Sequence, residues 1–368
     1  MTSTKSNLDA HIAIIAGGVG SRLKKVTGSL PKALIELGGQ NNLARIIGLS
    51  KRYGFSRVSI FGGVAAANIK RFVEVEYPNT KNIEVIAEKK QLGTASKCKS
   101  LCYMSRDPLI VIYGDIICNF SLKNFLSYHY DKGGDATILV QHNSHYKDSD
   151  IIDFDKHYRV TNIYRKPHPT NLSQKSGIAC AAAYIVNSSI AEHILQTPCD
   201  WVHDVFPKAI ESGKIIYAYH SIEYLHDFGT PRRLTKAQWD LKNGILNCGN
   251  SDNGRAAVEI DLHNQSVDCR PTMKIFKILN YYRMPIIALT DEKQKWEICL
   301  KEQGIYADLF VKNLGNNQLE KLKKEHHIEP ELIYKLVLSN GKKEDKLIDA
   351  EEFCREYYKY GNIPRYKY

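Results

Sequence analysis

The stretch Ile12–Gly39, IAIIAGGVGSRLKKVTGSLPKALIELGG, decides the fold. An apolar, β-branched run breaks into Gly17, Gly18 and Gly20, then into Arg22, Lys24 and Lys25, and finally into the pair Pro31-Lys32. A strand that ends in Gly-Gly-x-Gly exposes a row of backbone N–H groups with no side chains in the way. Such a nest suits phosphate oxygens, and Arg22, Lys24, Lys25 and Lys32 are placed to neutralise the remaining charge. Two common phosphate loops are excluded by spacing: G-x-x-x-x-G-K-[ST] is absent, and GGVGSR does not complete G-x-G-x-x-G. The same glycines also serve a tight strand-to-helix turn that holds no ligand.

Outward from this loop, short apolar strands alternate with helical patterns. The segments IAIIA, RVSIFGG, IEVIAE, PLIVIYGD and ATILVQ read as buried strands. Between them, Leu43, Ile46, Ile47 and Leu49 and the run from Thr94 to Met104 carry apolar residues at helical spacing. The alternation predicts an α/β fold with a mixed, mainly parallel sheet covered by helices. From Ser144 to His168 the segments turn polar and hairpin-like, as in an inserted lobe that faces a substrate. A helix predicted over Pro231–Leu246 ends in NCGNSDNG, the best linker in the chain. A second, shorter alternation follows, so the expected organisation is an α/β domain over 1–248 and a smaller α/β domain over 249–368, each with its own core.

Of the 368 residues, 43% are hydrophobic, enough for two packed cores. No apolar run approaches a membrane span, and the polar start MTSTKSNLDA lacks the apolar core of a signal peptide. Nine cysteines lie scattered without a C-x-x-C pair, which fits buried thiols in a reducing cytoplasm. The net charge of +11 is unevenly placed: Ser251 onward holds 20 Lys and Arg against 19 Asp and Glu, so the excess sits in the first 250 residues. A basic half suits a polyanionic partner, and without a basic run interleaved with aromatics a small phosphorylated ligand is expected rather than nucleic acid.

AGGVGSRLKKVTGSLPKALIEL resembles the signature G-G-x-G-[TS]-R-L-x-x-x-T-x-x-x-P-K of the sugar-1-phosphate nucleotidylyltransferases. The likeness continues in order. EKKQLGTA (Glu88–Ala95) resembles that family's base-recognition segment, IYGD its strand ending in a metal-binding Asp, and HDFGTPRRL its late D-x-G-T segment. DSDIIDFDKHYRVTNIYRKPHP, HDVFPKAI and EYLHDFGTPRRL resemble in particular the heptose-1-phosphate guanylyltransferases, in the branch fused to a haloacid-dehalogenase-like phosphatase. The resemblance implies transfer of a nucleotidyl group, with GTP favoured, to a heptose-like sugar 1-phosphate, releasing pyrophosphate and supplying activated sugar for polysaccharide or capsule synthesis. It leaves homo-oligomerisation open, and a sugar-nucleotide-binding regulator without turnover remains the alternative.

The resemblance also assigns roles. Ala16, Gly17, Gly18, Gly20, Ser21 and Gly114 are expected around the nucleotide, with the loop's backbone donors on the phosphates. Arg22 would clamp the β- and γ-phosphates, and Lys32 would bridge the nucleophile and the α-phosphate. Asp115 and Asp227 would hold Mg²⁺, which takes a few carboxylates plus phosphate oxygens. Glu88, Gln91, Leu92, Gly93 and Thr94 would meet the base, while Lys166, Ala182 and Gly229 would meet the sugar phosphate. Several positions depart from the family pattern. Gln91 and Ala33 stand where proline is usual, Cys180-Ala181-Ala182 replaces Asn-Ala-Gly, and Arg165-Lys166 replaces an acid-Lys pair. In the second domain EIDLHNQ offers Asp261 as a nucleophile, but His263 where an acid/base Asp belongs, and Thr290 resembles the second motif's Ser/Thr. Ser339-Asn340 replaces the metal-binding Gly-Asp, with Asp345 and Asp349 nearby, so this domain is expected to be a phosphatase-like relic. The pieces QHNSHY and KPHP fit no zinc spacing, and EHH (Glu325–His327) reads as a solvated helix face.

Overall fold

The computed structural model describes residues 10–18, 20–28, 30–88, 92–142, 149–168, 178–221, 223–242, 246, 255–263, 270–281, 286–302, 305–307, 309–320 and 328–336. The first half runs β1 (His11–Ile15), α1 (Lys24–Thr27), β2 (Glu36–Leu37), β3 (Gln40–Asn41), α2 (Asn42–Arg52), β4 (Val58–Phe61), α3 (Ala66–Glu76) and β5 (Ile83–Ile86). It continues through α4 (Lys99–Met104), β6 (Leu109–Tyr113), β7 (Ile116–Asn119), α5 (Leu122–Lys132), β8 (Ala136–His142), β9 (Ile151–Phe154), β10 (Val160–Tyr164) and β11 (Ile178–Val186). It closes with α6 (Phe206–Glu211), β12 (Ile216–His220), β13 (Tyr224–Asp227) and α7 (Pro231–Lys242).

Nine strands form one mixed sheet in the order β10-β9-β11-β6-β1-β4-β5, with β8 beside β11 and β12 beside β8. Its β6-β1-β4-β5 part is parallel, as expected of β-branched strands buried on both faces. The period of two sorts β1 between two cores: Ile12 and Ile14 join the cluster under α2 and α5, while Ala13 and Ile15 join the one on the other face. Beyond β6 the chain turns antiparallel through β11, β9 and β10, the last two forming the expected polar hairpin. The chain crosses from β1 outward to β4 and β5 and then returns to the opposite side of β1 as β6. The crevice past the ends of β1 and β6 is therefore the topological switch point, where α/β sheets bind ligands.

A separate antiparallel pair, β13 on β7, sets Asp227 opposite Ile116 and so brings two distant loops to that crevice. The α2 helix begins at Asn41, whose side chain accepts the Ala44 N–H, and α5 at Ser121, which accepts the Asn124 N–H.

The second half holds β14 (Arg255–Asp261), α8 (Arg270–Tyr281), β15 (Ile286–Leu289), α9 (Lys293–Glu302), β16 (Leu309–Val311) and β17 (Ile328–Leu336). They form an all-parallel four-stranded sheet in the order β16-β15-β14-β17. On one face of this sheet Ala257 and Ile287 pack with Leu289 and Val311 in a cluster of their own, while the other face joins residues of the first half. Val258, Ile260, Phe276 and Trp296 belong to the same buried cluster as Leu23, Ile35, Tyr224, Phe228 and Leu234 of the first half. The boundary expected near residue 248 lies outside the described residues, as do Gln91, Ser339, Asn340, Asp345, Asp349 and Glu325–His327.

Candidate active site

The glycine loop is shaped by close approaches rather than by flexibility. A Cβ on Gly17 would stand 3.0 Å from Gly63 Cα, so the loops after β1 and β4 meet backbone to backbone. Gly20 has φ +66°, and a Cβ there would press on Lys32 Cγ at 3.0 Å. At Gly18 nothing lies within 4 Å of that position. The loop runs into one tight turn, Ser21–Leu23, and the single turn of α1, where a longer helix is the usual sequel to such a strand. Leu23 is fully buried, and this fixes exposed Arg22 at the loop's rim; Lys24 and Lys25 face solvent.

Pro31 starts a short turn over Lys32–Leu34, and Lys32 Nζ donates to Asp115 Oδ2 at 3.0 Å. Gly229 is the meeting point of the site. A Cβ on it would lie 2.8 Å from Asp227 Oδ1, 3.5 Å from Lys32 Nζ and 3.6 Å from Arg22 Nη2. Only glycine leaves that gap open. Arg22, Lys32, Asp115 and Asp227, taken from four separate segments, thus converge at the switch point. The Gly229 N–H donates to Asp227 Oδ1 at 2.6 Å, and Arg233 Nη1 donates to Asp227 Oδ2. Each carboxylate therefore has a cation beside it, which offsets the repulsion between them. Gly114 is packed against Ala16 and Ala33, where a Cβ would meet Ala33 Cβ at 3.2 Å and Ala16 Cα at 3.3 Å. Buried Asn42 donates from Nδ2 to the carbonyls of Gly114 (2.9 Å) and Ile116 (2.8 Å), which holds the backbone on both sides of Asp115.

The segment expected to meet the base is clamped to residues 199–201. Gly93 has φ +76°, and a Cβ there would collide with the Cys199 carbonyl at 2.3 Å. The Cys199 N–H donates to Leu92 O (3.1 Å), the Ala95 N–H donates to Cys199 O (3.0 Å), and Thr94 Oγ1 donates to Asp200 Oδ2 (2.5 Å). Glu88 is paired with Lys97 at 3.1 Å, with side chains 7% and 8% exposed. An ion pair so enclosed costs desolvation and survives only with both partners present.

On the antiparallel side, Ala182 sits at an irregularity of β11 with φ +57°, a conformation that glycine adopts with less strain. Lys166 is exposed just past β10 and is tied in by its backbone N–H, which donates to Asp150 Oδ1 at 3.1 Å. Asn42, Arg233, Lys97 and Asp200 were not legible in the sequence. Each is a common polar residue without a distinctive spacing, and only its partner reveals a role. The described cysteines are free, and burial pushes the Cys102, Cys118 and Cys180 thiols up to about 12, as expected of inert interior thiols.

In the second half, Asp261 ends β14 and accepts the His263 backbone N–H at 3.0 Å, with His263 Nδ1 2.8 Å from the same oxygen. The His263 backbone N–H, aided by its ring, holds the Asp261 carboxyl below its usual range. Asp291 lies 3.6 Å from His263 Nε2 and 3.2 Å from Lys312 Nζ. Thr290 follows β15 and is buried.

Among curated proteins, the chain is 27% identical over 228 residues to a mannose-1-phosphate guanyltransferase of Pichia angusta, covering 60% of each chain. It is 27% identical over 224 residues to the mannose-1-phosphate guanylyltransferase catalytic subunit beta of Drosophila melanogaster, covering 60% of this chain and 59% of that one. The chain thus spans about 60% of the length of the curated relatives it matches. Among solved structures, HddC from Yersinia pseudotuberculosis superposes with a TM-score of 0.54 at 25% identity, over 64% of this chain and 99% of that one. The same protein complexed with GMP-PN gives 0.53 at 26% identity, over 64% and 99% of the two chains. A family model described as nucleotidyl transferase matches residues 12–244, more than half of the chain, and takes in the glycine loop, Lys32, Asp115 and Asp227. The chain belongs to the nucleotidyl transferase family.

Proposed function

We propose that the chain is a sugar-1-phosphate guanylyltransferase, which joins the GMP moiety of GTP to a sugar 1-phosphate and releases pyrophosphate. The observation that carries this reading is the convergence of Arg22, Lys32, Asp115 and Asp227 around Gly229. The guanylyltransferase names of the relatives and the GMP-PN complex of HddC support guanine as the base.

In this reading the phosphate oxygen of the sugar 1-phosphate attacks the α-phosphorus, and the bond from that phosphorus to the bridging oxygen of pyrophosphate breaks. The nucleophile is an anion, so the protein's task is alignment and charge neutralisation. Backbone N–H groups of the loop at Gly17, Gly18 and Gly20 take the phosphate oxygens. Arg22 holds the leaving pyrophosphate, and Lys32, poised at Asp115, moves its charge onto the α-phosphate as negative charge builds there. Adjacent Asp115 and Asp227 supply hard oxygen donors, and no described group of three or more His, Cys, Asp or Glu forms a closed metal cage. That donor set fits Mg²⁺ arriving with the triphosphate, because Mg²⁺ is held by one or two carboxylates plus phosphates and water. Bound there, the ion would neutralise triphosphate charge.

The sugar is a mannose- or heptose-type 1-phosphate in this reading, in line with the resemblance and the relatives' names. The second half is a haloacid-dehalogenase-like relic, supported by an all-parallel sheet with Asp261 and Thr290 after neighbouring strands. Pyrophosphate release across four nucleoside triphosphates and a panel of sugar 1-phosphates, with Mg²⁺, is the test. Turnover with GTP and at least one such sugar is expected. Binding of GTP without turnover on any sugar would instead make the chain a sensor, and turnover only with another triphosphate would remove the guanylyl assignment.

A further inference from the structure

A second polar cluster lies on the antiparallel side of the sheet. Asp150 sits just before β9, and its side chain is 14% exposed. Its backbone carbonyl accepts the Cys180 N–H at 2.9 Å, at the start of the irregular stretch of β11 that holds Ala182. Its Oδ1 accepts the Lys166 N–H at 3.1 Å and lies 3.0 Å from His203 Nε2. That imidazole nitrogen is buried and off-line for a hydrogen bond to Asp150, although the distance is short. Among the described residues no hydrogen bond reaches Asp150 Oδ2. A half-buried carboxylate with one backbone donor, one poorly aligned imidazole and its second oxygen open to solvent keeps acceptor capacity for a ligand, since an ionised carboxylate accepts about four hydrogen bonds.

This cluster is also wired to the base segment. The His203 backbone N–H donates to Asp200 Oδ1 at 3.1 Å, and Asp200 Oδ2 accepts from Thr94 Oγ1. A continuous path therefore runs from Thr94 through Asp200 and His203 to Asp150 and the Lys166 backbone. Its other end meets two of the three residues that the resemblance assigns to the sugar phosphate, Lys166 directly and Ala182 through the same stretch of β11.

We propose that Asp150 and His203 form the hydroxyl-reading corner of the sugar subsite. The proposal rests on the sugar-1-phosphate reading above. Asp150 Oδ2 accepts a hydrogen bond from one ring or side-chain hydroxyl of the sugar 1-phosphate. His203 Nε2 swings into line on the carboxylate, or on the oxygen of that hydroxyl, once the ligand is present. The chemical class selected is a neutral, hydroxylated sugar 1-phosphate. A sugar carrying a carboxylate at that position is repelled, and one lacking the hydroxyl leaves the carboxylate unpaired.

The test uses the full chain with Mg²⁺ and saturating GTP. Mannose 1-phosphate and its monodeoxy analogues are the probes, and Asp150→Asn, Asp150→Ser and His203→Gln the variants. One deoxy analogue is expected to lose about 10- to 100-fold in kcat/KM with the unmodified protein, the range for a hydrogen bond to a charged group. Asp150→Ser should lose a similar factor on mannose 1-phosphate, mainly through KM, and should no longer distinguish that analogue. Its affinity for GTP, measured by calorimetry, should stay within about twofold, and Asp150→Asn and His203→Gln should lose less, because a partial acceptor or the carboxylate remains. Equal penalties for the deoxy analogues in the unmodified and Asp150→Ser proteins would overturn the proposal, as would GTP affinity falling in step with sugar affinity. If the unmodified protein turns over neither these sugars nor any other sugar 1-phosphate of the panel, the transfer reading fails on its own, and calorimetric titration of the same sugar phosphates decides the corner. Binding that Asp150→Ser abolishes sustains it, and no binding overturns it.

Discussion

Arg22 and Gly93 are the residues where single atoms decide most. Arg22 is exposed at the rim of the loop, its Nη2 near the Gly229 gap, so its guanidinium is free to grip phosphate without giving up a buried partner. Arg22→Ala should weaken GTP binding about 10- to 100-fold, the value of a charge-assisted bidentate contact, with the melting temperature unchanged. Calorimetry with Mg²⁺ present measures it, and unaltered affinity would take Arg22 out of the site. Gly93→Ala is different in kind. It places a methyl group into the Cys199 carbonyl at a positive φ, so the base segment must pull away from residues 199–201. A loss of about 2–4 kcal/mol of stability or a matching rise in KM for GTP is expected. Urea unfolding together with steady-state kinetics would separate the two, and a variant normal in both would show that this clamp is not needed.

At the scale of the element, helix and strand ends carry the titration behaviour. On α5, His129 is buried with its ring between Thr137 Oγ1 (2.8 Å) and Asn187 Oδ1 (3.1 Å), and burial holds its pKa below the ordinary value. His220 ends β12, and burial pushes it down to about 4. Both groups bind protons more readily in the unfolded chain, so unfolding takes up protons between pH 6.5 and 4. Their contribution to stability is complete above pH 6.5 and is lost as pH falls toward 4, with His220 alone accounting for about 3 kcal/mol. Urea midpoints at pH 7, 5.5 and 4 should decline accordingly, and His220→Gln should flatten the decline. An equally steep profile in that variant would assign the acid sensitivity to other groups.

For the whole molecule, the shared apolar cluster changes what the second half is expected to do. A second half that is only a phosphatase-like relic would be dispensable for transfer chemistry. In the structure, Leu23 next to Arg22 and Phe228 next to Asp227 are buried in one cluster with Val258, Phe276 and Trp296. Deleting 251–368 removes apolar neighbours from the segments that carry Arg22 and Asp227, at about 2–5 kcal/mol for each large side chain left unpacked. Loss of at least about 5 °C in melting temperature and of most turnover is expected, and a truncated chain with full activity would restore the dispensable reading. The same half should show no useful phosphatase activity. Asp261 is held by His263, and although Asp291 lies 3.6 Å from His263 Nε2, no group of three or more His, Cys, Asp or Glu among the described residues could hold a metal ion. Hydrolysis of a sugar bisphosphate by the full chain, lost in Asp261→Asn, would make the protein bifunctional.

The sequence by itself determined the central elements and singled out the four charged side chains that the fold brings together near Gly229. β-branched runs at period two specify the central strands whatever surrounds them, because such side chains are satisfied only by burial on both faces. Arg22, Lys32, Asp115 and Asp227 were legible because each sits in a short motif with fixed neighbours, glycine or proline above all, and these restrict the backbone locally. What only the tertiary structure decided are the pairings between segments far apart in the chain. Asn42 on the Gly114 and Ile116 carbonyls, Arg233 on Asp227, Lys97 on Glu88 and Asp200 on Thr94 are each ordinary polar residues until the sheet brings a partner within 3 Å or so. The fusion of the second half's apolar residues into the first half's core escaped the sequence for the same reason. Periodicity tells which face of an element is apolar, whereas which other face covers it depends on how the whole chain packs.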